Sequence, residues 1–342
     1  MRTISYGVLR QIKKSTQGLF QNRAVILIYH RIADHCPDPQ LLCVNPSRFA
    51  EHLDYLNSHF KVISLEDLRH AIVESELNRK SVVVTFDDGY VDNLLNAKPV
   101  LERYETPATV FVSSGYIGRD REMVSDELER IILGSEDLPE VIEVDIAGES
   151  YSWQIGTTPA QNISWDVAAG YYPTPRHRCY HDLHRLLLTL DVYGRNEVVS
   201  HLAEMAGLKF TNARSDYRIL NPEEIRLLAE DGLVEIGAHG VNHVNLANQS
   251  IEVQWEEITE CKTQLEDIIG RPVKSFAYPY GGLDNKAEMI TRLLQQAGFH
   301  IACTNEPSPV DKGSDLFWLP RFLVRDWSID DFAKQVRGAF VG

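Results

Sequence analysis

The chain has 342 residues, 44% of them hydrophobic and 24% charged, with a net charge of −15. That length holds one large α/β domain or two smaller ones with a sizeable core, and the composition excludes collagen-like, disordered and disulfide-scaffold classes. The acidic balance argues against a nucleic-acid partner, which calls for a basic stripe. The five cysteines (Cys36, Cys43, Cys179, Cys261, Cys303) are scattered and contain no C-x-x-C pair. That suits a reduced compartment and argues against a structural zinc knuckle.

Residues 1–23 carry Arg2, Arg10, Lys13, Lys14 and Arg23 and no acid, so this segment is basic and the remainder strongly acidic. No signal-peptide core follows, and no stretch of about 20 apolar residues occurs. The expectation is a cytoplasmic chain without a membrane span. Ile4, Val8, Leu9 and Ile12 recur at helical spacing among the basic residues. Two readings stay open: a membrane-surface helix giving peripheral contact through residues 1–23, or a solvated, frayed helix.

From residue 24 onward strands and helices alternate. The apolar run 24–29 reads as a buried parallel strand. A helix follows over 46–60, with Phe49, Leu53 and Leu56 on one face, and Ser64 with Asp67 opens a second through a variant capping box. Residues 81–85 form the next strand, 91–104 a helix and 108–112 a third strand. Asn221-Pro222-Glu223-Glu224 combines a cap, a first-turn proline and first-turn acids, a strong helix start. Then come a strand at 233–238, a long helix over about 251–269, a strand at 274–278 and a helix at 287–297 stopped by Gly298. Strands at 300–304 and 318–324 and a helix capped by Ser328 complete the chain.

Seven strands in this alternation predict an α/β fold, a distorted (β/α)7-type barrel. No G-x-G-x-x-G or Walker A sequence supports a dinucleotide or nucleotide fold. The alternation breaks at about 119–218. There 141–147 and Tyr151, Trp153 and Ile155 read as a hairpin across Gly148-Glu149, followed by a helix-rich stretch over 175–207. We read 24–342 as a single barrel domain carrying this hairpin-plus-helical insertion.

Three segments carry chemistry. Thr85-Phe-Asp87-Asp88-Gly-Tyr90 ends an apolar strand on two adjacent carboxylates. Alone, such a triplet reads as an acidic turn; at the C-terminal end of a barrel strand it delivers both acids to the face where α/β barrels hold active sites. One acid then suits a metal and the other a base. His239-Gly-Val-Asn-His243 also follows a strand, and two histidines four apart can face one ion. His177 and His181, with His184 a turn on, repeat the spacing inside an Arg- and Leu-rich helix, far in sequence from paired acids, so the spacing alone is weak. Asp88, His239 and His243 would give a His₂Asp site with open positions, the layout of catalytic zinc. Phe276-Ala-Tyr278-Pro279-Tyr280-Gly281-Gly282 reads either as a packed Pro–Gly turn or as an aromatic wall whose backbone N–H groups form an oxyanion hole.

Together these segments resemble the polysaccharide deacetylases with the NodB-homology domain, carbohydrate esterase family four. Thr85–Gly89 matches the family's T-F-D-D-G motif in full. His239 and His243 match H-[S/T]-x-x-H with Gly240 in place of the hydroxyl residue. Pro279 and Tyr280 match R-x-P-[aromatic] with Ala277 in place of arginine. The late L-x-x-H motif is missing from the C-terminal region, but Leu27-Ile-Tyr-His30 fits it, so the chain resembles a circularly permuted subgroup of the family. The resemblance implies a hydrolase acting on non-peptide C–N bonds: a metal-dependent N-deacetylase of an amino sugar in a polysaccharide, oligosaccharide or lipid-linked glycan.

It also implies one divalent ion, zinc first among candidates, held by Asp88, His239 and His243. Asp87 would be the base, His30 the acid, protonated at rest and setting the alkaline limb of the pH profile, and the Tyr280 N–H an oxyanion donor. Arg321, in Leu319-Pro-Arg-Phe322, is the candidate substitute for the missing motif arginine. A non-sugar amidohydrolase and a catalytically silent carbohydrate-binding protein are the alternatives. An intact Asp87 speaks against the latter, since binding alone needs no free carboxylate beside an ion.

Overall fold

The structure, a computed structural model, describes all residues except 1–21, 35–36, 78–79, 147, 161–162, 210–212, 282–286 and 342. Nearly all of the basic N-terminal segment, together with Cys36 and Gly282, therefore lies outside the described residues. No helix among the described residues is long and apolar enough to cross a membrane.

The strands in chain order are β1 (Ala24–Tyr29), β2 (Arg31–Ile32), β3 (Cys43–Val44), β4 (Lys61–Val62), β5 (Ser81–Phe86), β6 (Ala108–Val112), β7 (Val141–Ile146), β8 (Glu149–Gln154), β9 (Val234–Ala238), β10 (Ser275–Ala277), β11 (Ile301–Cys303) and β12 (Phe322–Leu323). The main sheet runs β11-β10-β9-β6-β5-β1-β12, with β4 added beside β5, and its ladders are parallel. It curls into a half-barrel with helices packed around it, as the alternation predicted. β1 and β5 are fully buried, which is why their sequences run apolar without alternating.

The expected strand at 318–324 shrinks to β12. Its segment divides its pairing: Leu319 bridges to Cys303 on one edge of the sheet, while Phe322 and Leu323 pair with Leu27 and Ile28 on the other. Pro320, between them, has no N–H to give a ladder. The expected helix over 91–104 likewise opens with a wide π-turn, Asn93–Ala97, before an α-helical stretch, Lys98–Arg103. Pro99 cannot donate to the preceding turn, so the i→i+4 ladder is broken there.

The helices used below are α1 (Pro46–His59), α2 (Leu65–Val73), α3 (Lys98–Arg103), α4 (Val124–Glu129), α5 (Pro175–Leu187), α6 (Val192–Met205), α7 (Pro222–Ala229), α8 (Ile251–Ile269), α9 (Ala287–Gln296) and α10 (Ile329–Ala339). The capping boxes read at Ser64/Asp67 and Asn221/Glu224 are both formed. In the insertion, β7 and β8 make the expected antiparallel hairpin and pack with α5 and α6 around their own apolar cluster, which includes Ile142, Leu183 and Leu202. The two ends of the insertion meet where Glu122 bridges to Arg218 and Arg214 pairs with Glu122 and Glu129 at 2.7 Å each.

Candidate active site

Side chains alternate between the two faces of a strand. Ala24, Ile26, Val83, Phe111, Ala277 and Cys303 share the apolar cluster inside the curl, while Val25, Leu27, Val82, Val84 and Val112 join the one beneath the helices. Carried past the C-terminal strand ends, the inward parity reaches His30 after β1, Asp87 after β5 and His239 after β9. Parity and parallel pairing thus place at one end of the barrel three residues widely separated in sequence.

Asp88 follows an inward residue and would face away on an extended backbone. Its φ of +74° turns it back. His243 (+50°) and Tyr280 (+61°) hold the same left-handed region, which residues with a Cβ rarely occupy and which collects at functional sites. Gly89 completes the Asp88 turn at φ +84°; a Cβ there would sit 2.9 Å from a Val112 methyl.

The turn brings Asp88 Oδ1 to 3.6 Å from His239 Nε2 and 3.2 Å from His243 Nε2. One ligand atom from each residue lies within 4.8 Å of the others. His239 Nδ1 is 2.8 Å from the Ala277 carbonyl, and a carbonyl only accepts, so the proton sits on Nδ1 and Nε2 offers its lone pair. His243 Nδ1 likewise engages the Tyr280 hydroxyl at 3.1 Å. Burial lowers both imidazoles' proton affinity and, with the Asp87 charge alongside, drives the Asp88 carboxyl well above its usual range. Asp88 Oδ1 is buried and takes no hydrogen bond among the described residues. Two neutral imidazoles aimed at one orphaned carboxylate oxygen, each oriented through its other nitrogen, suit a divalent cation.

Asp87 has the opposite surroundings. Arg321 grips it bidentately, Nη1 to Oδ1 and Nη2 to Oδ2 at 2.8 Å each. The guanidinium is fully buried and is held by the Thr304 carbonyl, Thr85 Oγ1 and Asn305 Oδ1. Burial works to raise the Asp87 carboxyl, but the Arg321 charge leads the effects that bring it below its ordinary value. Asp87 is thus a carboxylate at neutral pH, 3.9 Å from His239 Nε2. Arg321 reaches the site from the segment leading into β12, whereas Ala277, at the motif's arginine position, contributes its carbonyl to His239.

His30 is partly exposed, and its carbonyl accepts from Asn93 Nδ2 at 2.8 Å. Its Nδ1 has no partner among the described residues. The expectation of an imidazolium at rest does not hold. Burial lowers His30 to about 4, against the opposing pull of Asp87, so the ring is neutral at neutral pH. The aromatic wall is also smaller than expected: Phe276 and Tyr278 are core residues, and the Tyr278 N–H is spent on the Cys303 carbonyl. Tyr280 alone of the three faces the histidines. His177 contacts Thr174 Oγ1 and His181 the Tyr172 hydroxyl.

The reading of the sequence missed two buried residues around the histidine loop. Glu257 of α8 accepts from the N–H groups of Val241 and Asn242 and from Asn242 Nδ2. Arg195 of α6 donates to the carbonyls of Asn242 and His243. Nothing in the sequence separates either of them from a charge on a solvated helix face. Glu257 also accounts for Gly240, whose φ is +74° and whose Cβ would come within 3.0 Å of Glu257 Oε2.

The sequence pattern of the polysaccharide deacetylase family matches residues 74–134 and 188–302, just over half of the chain. The chain belongs to the polysaccharide deacetylase family. The unmatched stretch between the two ranges falls inside the insertion. β1, with its Leu27-Ile-Tyr-His30 motif, lies beside β5 in register Ile28 to Thr85 and Tyr29 to Phe86, the neighbour a permuted deacetylase requires.

YxkH of Bacillus subtilis is 28% identical over 108 residues, 31% of this chain and 37% of that protein. The poly-beta-1,6-N-acetyl-D-glucosamine N-deacetylase of Staphylococcus aureus is 26% identical over 113 residues, 29% of this chain and 39% of that protein. These matches therefore span well under half of each curated relative. The fold also resembles the Streptococcus pyogenes deacetylase PplD solved with acetate, at TM-score 0.57 and 18% identity over 92% of this chain and 98% of that one. IcaB from Ammonifex degensii gives TM-score 0.54 and 17% identity over 93% and 97%.

Proposed function

We propose that this deacetylase removes the N-acetyl group from an amino sugar within a polysaccharide, using one divalent ion, zinc, held by Asp88, His239 and His243. The observation that carries the reading is the division of labour between adjacent acids. Asp88 is left with an orphaned oxygen facing two imidazoles, and Asp87 is kept ionised by Arg321 yet outside that ligand set. When bound, the ion supplies Lewis acidity toward the acetyl carbonyl and the attacking water.

The chain's own residues supply the rest. The Asp87 carboxylate accepts the proton of the attacking water, and Arg321 holds that carboxylate in place and keeps it ionised, ready to accept. The Tyr280 N–H donates to the oxyanion as the carbonyl becomes tetrahedral. His30, neutral at rest, takes over the proton that Asp87 removed from the water and passes it to the departing sugar nitrogen, which leaves both side chains as they began. The amide nitrogen leaves as an amine and acetate is released. The relatives matched in sequence, which include a poly-beta-1,6-N-acetyl-D-glucosamine N-deacetylase, support an N-acetylated glycan as the substrate class.

Acetate release from N-acetylglucosamine oligomers tests this, with chelator and with zinc restored. We expect release that the chelator abolishes and zinc recovers. Release indifferent to chelator would remove the ion from the reaction. Cleavage confined to small non-sugar amides would turn the assignment to an amidohydrolase, and glycan binding without any release would leave a silent binding protein.

A further inference from the structure

The loop from His239 to His243 has every one of its carbonyls occupied. Ser113 Oγ donates to the His239 carbonyl, and the Ser114 and Gly115 N–H groups to those of Gly240 and Val241. The last two, on Asn242 and His243, take Arg195 Nη2 at 2.6 Å and Nη1 at 2.7 Å. On the loop's other side Glu257 Oε2 accepts the Val241 and Asn242 N–H groups at 2.8 and 2.9 Å. The loop is thus gripped by a base on its carbonyls and an acid on its amides, from two different helices.

Arg195 is 3% exposed and forms no ion pair with a carboxylate among the described residues. Burying a guanidinium against neutral acceptors is costly, and a helix anchored only by packing has no need of it. Its fork spans consecutive carbonyls at the residue whose backbone is held at φ +50° and whose Nε2 faces Asp88.

We infer that Arg195 is a positioning residue for the metal site: by clamping the carbonyls of Asn242 and His243 it fixes the His243 imidazole toward Asp88, so that ion affinity depends on helix α6. This rests on the metal-dependent reading above. Outer partners of ligands typically change metal affinity by about 10–100-fold when removed, and Arg195 acts at one remove, through the ligand's own backbone.

The test uses the full chain and zinc alone, with affinity read by competition against a chromophoric chelator. The absorption spectrum of the cobalt-loaded protein reports ligand geometry. Arg195→Met is the main variant. Arg195→Lys is the conservative one, its single ammonium able to serve one carbonyl. Arg176→Met is the control, since Arg176 is also fully buried and donates to the Ile132 and Ser135 carbonyls, but within the insertion's own cluster.

We expect Arg195→Met to bind zinc about 10–100-fold more weakly with an altered cobalt spectrum, Arg195→Lys to fall between it and the wild type, and Arg176→Met to lose thermal stability while keeping zinc affinity. A folded Arg195→Met or Arg195→Lys that binds zinc as the wild type does overturns the inference, as does an equal loss in Arg176→Met. Asp88→Asn separates the two levels. If it too retains zinc, the metal assignment itself fails; if it alone loses zinc, only the role of Arg195 does.

Discussion

Asp87 and Asp88 are covalent neighbours with opposite electrostatic surroundings. A buried guanidinium contacts both oxygens of the first, while the second has an oxygen without a hydrogen bond among the described residues. Replacing Asp87 with Asn removes a proton acceptor and no ligand. Turnover is expected to fall by about 10²–10⁴-fold in kcat while zinc content stays at the wild-type level by metal analysis. Wild-type turnover in that variant would show that the base lies elsewhere. His30 is tested by comparing leaving groups. An amine leaves poorly without a proton and an activated alcohol leaves readily, so His30→Ala should slow acetamide hydrolysis far more than hydrolysis of an activated acetate ester. An equal loss on both substrates would make His30 a structural residue.

Elements show why part of this site was legible in the sequence. Strands buried on both faces leave unbroken apolar runs, so β1, β5 and β6 and the acids and histidine at their ends could be located, and the cap at Asn221 marked α7 within a residue. Arg321 could only be nominated, because its partner Asp87 lies on a strand distant in the chain and nothing local marks the pairing. Arg195 and Glu257 left no signal: on an amphipathic helix, a charge that bonds another segment's backbone looks like one that faces water.

Gly240 is the local trace of that hidden bracing. Gly240→Ser would restore the hydroxyl of the family pattern yet force a Cβ into left-handed backbone, 3.0 Å from Glu257 Oε2. The expected cost is about 1–3 kcal/mol of stability, with weaker zinc binding as Glu257 yields, read by denaturant unfolding and chelator competition. A variant as stable and as zinc-avid as the parent would show that the space is not needed.

At the scale of the whole molecule, acid sensitivity is built into a helix contact outside the His239–His243 loop. His52 of α1 is fully buried, its ring stacked at 3.8 Å on Phe332 of α10. Nε2 donates to the Trp327 carbonyl at 3.0 Å, and Nδ1 accepts from the Tyr29 hydroxyl at 3.3 Å. Burial lowers this histidine to about 4, whereas an unfolded histidine titrates at about 6.5. As pH falls below that value the unfolded chain takes up the proton first, so stability present above it is lost progressively down to the folded value. His52→Gln, which keeps an amide donor and acceptor, should flatten the fall in unfolding free energy between pH 7 and pH 4.5 relative to the wild type. Parallel curves for the two proteins would exclude His52 as a source of the acid sensitivity.

The place of β1 has a consequence for biosynthesis. β1 is flanked on one side by β5 and on the other by the Ala24–Val310 bridge and β12, both distant in the chain, and Arg321 arrives on that same late segment. A nascent chain therefore carries an unpaired β1 edge, the kind of surface that recruits foreign strands, until residues 310–323 have been added. The carboxylate of Asp87 waits equally long for its counterion. Termination between residues 243 and 321 yields a polypeptide with Asp88, His239 and His243 all present but an open sheet and an unmatched buried acid, so the segment around Arg321 and β12 determines whether the barrel closes or is left as a substrate for aggregation and proteolysis.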